Sequence, residues 1–174
     1  MQEFGVATTN LSPLGLHGLH GAEAGRWIKR LLQQGEASVN GGVLGEFEVR
    51  RIAIEELRDL DTYVVGIAEN EDGSGESLLF QTAITAAEEQ DRALGMDTYC
   101  VSTAWGATVY GGVMACALRD DLLTLKFDPP AAETLGISQE CRFRLRVDQD
   151  RIEQLKQGLR TVLSTGHPPI HVQL

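Results

Sequence analysis

Carboxylates are the most concentrated reactive side chains in this chain. They could hold a cation, move protons or attract a basic partner. Glu69, Glu71, Asp72 and Glu76 crowd around an Asp-Gly pair in "ENEDGSGE". A calcium loop needs oxygen ligands at its first, third and fifth positions, Gly at the sixth and Glu at the twelfth. With Gly73 sixth, Ala68 and Leu79 fall first and twelfth; with Gly75 sixth, Gln81 falls twelfth. Neither register holds the ion, so the segment reads as a hairpin turn. Glu88, Glu89 and Asp91 could pair for acid–base work. They also sit early in a helix, where the dipole favours acids, which gives them a structural reason to be there. His17 with His20, and His167 with His171, have ligand-like spacing but no Cys or carboxylate partner nearby. "GSGE" lacks the second glycine of a nucleophile elbow. No phosphate loop, dinucleotide pattern or basic–aromatic motif occurs. The residues therefore assign no catalytic, metal or cofactor-binding position, and no enzyme is predicted.

The charge is placed unevenly. Residues 46–97 hold 14 Asp and Glu against 4 Arg, while the remaining 122 residues hold 11 acids and 11 bases. The whole net charge of −10 thus sits in one stretch. It reads either as a solvated face that keeps the protein soluble or as a docking surface for a basic protein. The same charge repels nucleic acid. No apolar run approaches the ~20 residues that span a bilayer, and the first residues lack a basic, then apolar, export signal. Cys100, Cys116 and Cys141 are odd in number and form no CxxC. Free thiols in a reducing cytoplasm are expected.

The elements that must position these residues follow from pattern. Residues 1–45 carry 9 of the 19 glycines and read as an arm. Within it "AEAGRWIKRLLQQG" sets Trp27, Ile28, Leu31 and Leu32 on one helical face. This helix would dock on the body or on another chain, which makes a homodimer through the arm one expected assembly. Residues 46–174 form the body. "FEVRRIAI" and "TYVVGIAE" are strand-like. The Asp-Gly turn joins the second of these to "ESLLFQTA" as a hairpin. Thr85 and Glu88 predict a capping box, and Gly95 a helix end. "MDTYCVSTA" and "ATVYGGVMACAL" flank Trp105-Gly106 as a second hairpin. The Gly111-Gly112 pair marks a bulge or a close backbone approach. Leu123, Leu125 and Phe127 share a strand face. Asp128, with Pro129 and Pro130 behind it, caps a short helix that Gly136 stops. In "CRFRLRVD" Cys141, Phe143, Leu145 and Val147 face in and three arginines face out. Asp150 opens a last helix with Ile152, Leu155, Leu159, Val162 and Leu163 buried. About eight strands and three or four helices, with strands following one another directly, predict an α+β domain. Its sheet should be mostly antiparallel, with the helices on one side.

"DGSGESLLFQ", "EEQDRALGMDTYC" and "GATVYGGV", in that order, together with the later "AAETLGI", "FRLRVD" and "LKQGLRTVL", resemble the immunity protein family numbered ten of bacterial polymorphic-toxin systems. The resemblance covers about residues 46–163. It implies a non-enzymatic protein that binds and neutralises a cognate toxin, with no catalytic residues to carry over.

A toxin partner with a basic surface would meet the acidic turn at Glu69, Glu71, Asp72 and Glu76, with Asp97 expected nearby. A nuclease-like toxin acting in the cytoplasm fits this charge. Trp105 at a hairpin tip and Tyr110 before the glycine pair would serve as anchors, or else fold back onto the sheet. Two other functions stay open from the residues: a small-molecule-binding domain or enzyme with a pocket on the sheet, and an intracellular dimerisation or scaffold module that uses the arm.

Overall fold

The body's strand-forming runs, rich in Val, Ile, Leu and Phe, pair into two five-stranded sheets in a computed structural model that describes residues 44–87, 89–166 and 170–174. The first sheet sets side by side Leu44–Val49 (β1), Ile137–Leu145 (β9), Leu122–Phe127 (β8), Val113–Arg119 (β7) and His171–Gln173 (β10). The second runs in chain order: Arg51–Leu57 (β2), Thr62–Ala68 (β3), Ser77–Ala83 (β4), Cys100–Thr103 (β5) and Thr108–Tyr110 (β6). Pairing is antiparallel except for β1 with β9 and β10 with β7. Among the described residues three α-helices accompany the sheets: Glu89–Ala93 (α1), Pro129–Leu135 (α2) and Gln149–Leu163 (α3). The α+β class and the mostly antiparallel pairing are as the sequence predicts. The arm, with its helix and the homodimer it suggests, His17, His20, Glu88 and His167 all lie outside the described residues.

The strands divide between two sheets because the chain crosses between them twice without a long loop. Arg50 alone separates β1 from β2, so "FEVRRIAI" looks continuous although its halves belong to different sheets. Gly111 and Gly112 make the second crossing, with φ of +70° and +86°, where side chains are costly. A Cβ on Gly112 would stand 2.4 Å from the Cβ of Ala131. This is the close approach that the glycine pair predicts.

The helices show which local signals prevail. Asp128 accepts the Ala131 amide at 2.8 Å, and Gly136 closes α2 at φ +65°. The cap of α3 is Asp148 rather than Asp150: its Oδ1 accepts the Arg151 amide at 2.8 Å, leaving Asp150 in the first turn. Thr85 does not cap a helix. Its amide and hydroxyl both donate to the Asp61 carboxylate, at 3.0 and 2.5 Å. That long-range acceptor outcompetes the local box, and α1 starts only at Glu89.

One core joins the elements. Val65, Ile67, Phe80 and Val101 of the second sheet meet Leu123, Leu125 and Phe143 of the first and the Leu155, Leu159 and Val162 stripe of α3. Helix α3 lies on β2, β3 and β4. It approaches closely at Gly158, where a Cβ would stand 2.9 Å from Val65 Cγ2. The outer face of the first sheet is polar: Arg146 grips Glu48, Lys126 and Arg142 share Glu140, and Arg144 meets Asp121. Such exposed pairs are screened by water and contribute little to stability. Among the described residues the three cysteines form no disulfide, and Cys116 and Cys141 are buried. Among the described residues no helix is long and apolar enough to cross a membrane.

Candidate functional site

The register of the second sheet sorts the candidate residues into two groups. Ala68 pairs with Ser77, and Leu78 with Thr103. The 69–76 turn and the 104–107 turn therefore leave the sheet at the same end. Gln81 pairs with Cys100, and Cys100 with Tyr110. Asp97 and Tyr110 thus belong to the opposite end, roughly 20 Å away along a seven-residue strand. Asp97 was expected beside the acidic turn and is not: "MDTYC" must run back along β4 before it reaches that end.

The acidic turn is built by its own side chains. Asp72 Oδ1 accepts the amide and the hydroxyl of Ser74, at 2.9 and 2.6 Å, the local bond that Asp forms two residues on. The Asn70 amide group donates to Ser74 Oγ at 3.1 Å. Glu69 Oε2 accepts the Glu76 amide at 3.2 Å, and Arg51 donates to the Glu71 carbonyl at 2.9 Å. Gly73 and Gly75, at φ +84° and +79°, allow the chain to turn this tightly. Glu71 and Asp72 are exposed at the tip, while Glu69 and Glu76 are half-buried at its neck. Burial, and then the Glu69 charge, raise the pKa of Glu76. Its Oε2 is buried without a hydrogen-bond partner among the described residues. Glu69, Glu71 and Glu76 form no ion pair among the described residues.

Trp105 is half-buried beside this turn. It packs against apolar residues on both faces of the second sheet, and its ring lies 3.9 Å from the Cβ position of Gly136. It is therefore a packed residue that shows one edge to solvent.

At the other end, Asp97 and Tyr110 line a cleft of about 500 Å³ together with Thr98, Tyr99, Met114 and Asp128. Tyr110 is 42% exposed and Met114 59%. Burial raises the pKa of Tyr110, with Cys100 and Asp91 adding to the shift. Met114 and Asp128 were missed in the sequence. Met114 stands where the β7–β8 register shifts, and such a bulge turns a side chain outward. An apolar residue directly after the glycine pair was the available signal. Asp128 was recognised only as a cap.

Among the described residues no group of three or more His, Cys, Asp or Glu could hold a metal ion. The two ends thus differ: a preformed acidic projection stands at one, and a mostly polar cleft with two acids beside Tyr110 and Met114 at the other. No curated protein and no solved structure matches the chain. A family model, Immunity protein 10, matches residues 48–153, which is more than half of the chain and includes the acidic turn, both hairpins and the cleft. The chain belongs to the Immunity protein 10 family, immunity proteins of toxin systems.

Proposed function

We propose that this immunity protein binds a cognate toxin with a basic surface and neutralises it without chemistry of its own. The acidic turn Glu69–Glu76 would enter and block the toxin's active cleft. One observation carries the reading: Glu69, Glu71 and Glu76 are held together in a preformed turn and none of the three carboxylates forms an ion pair among the described residues, the Arg51 guanidinium meeting the Glu71 carbonyl instead. Like charges in one site raise each other's energy, and a cationic partner relieves that cost. A nuclease acting in the cytoplasm is the fitting class of toxin, because a cleft that binds phosphate is basic. Because the turn is fixed by its own hydrogen bonds, little ordering entropy is lost on docking.

Stopped-flow association with the toxin at low and high salt tests this. Asp72 also holds the turn, so the variant must keep its acceptor: Glu71→Lys with Asp72→Asn removes charge and leaves the Ser74 bonds. Wild type should associate faster than ~10^6 M⁻¹s⁻¹ at low salt and slow steeply as salt rises. The variant should be slower by at least about tenfold at low salt and protect cells less, with its melting temperature little changed. Equal rates at both salts would overturn the role of the turn. The contact would then move to the Asp97–Tyr110 cleft, where exposed Tyr110 and Met114 stand beside two acids.

A further inference from the structure

Ile84, Leu94, Tyr110 and Met114 are the large apolar side chains exposed among the described residues. All of them stand at the cleft end of the second sheet. Ile84 follows β4 just past Gln81, which shares a row with Cys100 and Tyr110. Leu94 adjoins Gly95, which lines the cleft with Tyr110 and Met114. Asp91, on the turn of α1 before Leu94, is close enough to raise the pKa of Tyr110. Single exposed apolar residues are ordinary, whereas a group of them at one end marks a contact surface. The walls of the cleft add Asp97 and Asp128 and no basic side chain. Neither acid forms an ion pair among the described residues.

We infer that this end is a second contact for the toxin and holds a segment of it that carries an apolar anchor and a Lys or Arg side chain. The inference rests on the toxin being the partner, as proposed above, and not on the acidic turn being its point of entry. The stem of a Lys or Arg packs on Tyr110 and Met114 while its charged head meets Asp97. A guanidinium also stacks on a phenol ring, and Met adapts to an irregular neighbour. Size supports a second contact. A stable interface takes about 800 Å² from each partner, a patch roughly 30 Å across. One hairpin turn cannot supply that area. The acidic turn and the cleft are roughly 20 Å apart along β4, so one interface reaches both. Strand β6, at the edge of the sheet among the described residues, joins them. Half-buried Trp105 stands before it, and Thr108 and Tyr110 are exposed along it. Charge at the turn then sets the rate of encounter, and the anchor at the cleft sets the lifetime of the complex.

The test measures dissociation of the toxin from its purified complex with this chain. Tyr110→Ala with Met114→Ala should raise the dissociation rate at least about tenfold and leave association within about threefold. Asp97→Lys should raise it by a similar factor, because it sets like charges together. Tyr110 and Met114 are exposed and Asp97 is half-buried, so the melting temperature should change little. Glu71→Lys with Asp72→Asn should instead slow association, so the two readings fail separately. If that variant associates like wild type while the cleft variants dissociate fast, the turn loses its role and this inference stands. A dissociation rate unchanged in the folded double variant, or unchanged by Asp97→Lys, would overturn it. Hydrogen exchange in the wild-type complex decides the matter if a variant fails to fold. Amides of residues 94–98 should exchange at least about tenfold more slowly than in the free chain, and equal exchange would overturn the inference as well.

Discussion

The phenol oxygen of Tyr99 accepts the Val113 amide proton at 2.9 Å. The Tyr99 carbonyl accepts the Gly111 amide at 2.8 Å, so one residue supports both sides of the Gly111–Gly112 crossing. The ring is buried, and burial pushes the phenol's pKa up to about 12, which keeps it neutral. Tyr99→Phe removes the acceptor and leaves the Val113 N–H unpaired in a dry site. We expect a loss of about 1–3 kcal/mol, read as a lower urea midpoint at unchanged slope. A midpoint equal to wild type would show that the phenol does not support the crossing.

Two glycines at positive φ separate strain from crowding. Gly95, at φ +67°, has nothing within 4 Å of its Cβ position, whereas Gly112 at φ +86° has Ala131 at 2.4 Å. Gly95→Ala should cost about 1–2 kcal/mol, the cost of left-handed backbone. Gly112→Ala adds overpacking of about 1–3 kcal/mol and should give the larger drop in melting temperature. Equal drops would mean that α2 yields to the added methyl.

Glu76 gives the acidic turn a pH dependence. Its pKa is raised by burial and by Glu69. A carboxyl raised on folding contributes stability below its unfolded pKa and loses it as pH rises through the folded value. At neutral pH the charged group therefore costs stability, in a partly exposed site where water screens part of the effect. Glu76→Gln should melt about 1–3 °C above wild type at pH 7, with the gap closing toward pH 4. A constant gap across that range would place the cause elsewhere. If a basic toxin docks here, it lowers the Glu76 pKa, so binding should release protons and strengthen as pH rises from 4 to 7.

The thiols make a fourth case. Cys116 and Cys141 both pair with Leu125, from either side of β8. That sets them roughly 10 Å apart, beyond the ~7 Å limit for a disulfide. Burial pushes their pKa values up to about 12 and about 11. Alkylation of both should occur only through unfolding, at a rate that rises with urea. Fast labelling of either thiol in the native chain would contradict this burial.

Much of the fold was legible because local rules agreed with tertiary ones. The Asp128–Gly136 helix, the Asp-Gly hairpin and the alternation of β8 and β9 each needed only neighbouring residues. The two sheets were not legible. Arg50 carries no turn signal, and the hand-over at Gly111–Gly112 looks the same as a bulge when only the chain is read. Thr85 misled because its hydroxyl finds Asp61, 24 residues away. For the candidate site, the acidic turn could be read as a unit, since all its side-chain bonds but the one from Arg51 come from within residues 69–76. The distance from Asp97 to that turn could not, since it depends on the register of β5 against β4.

The pairing of β1 with β9 bears on how the protein is made. Arg146 grips Glu48 from 98 residues away, and among the described residues β1 has no other strand beside it. A ribosome adding about 5–20 residues per second needs roughly 5–20 s to produce the missing neighbour. During that interval β2 to β6, each following its partner in the chain, can assemble as local hairpins. The first sheet can close only near the end of translation. A truncated or stalled product would then present the acidic turn on half a molecule.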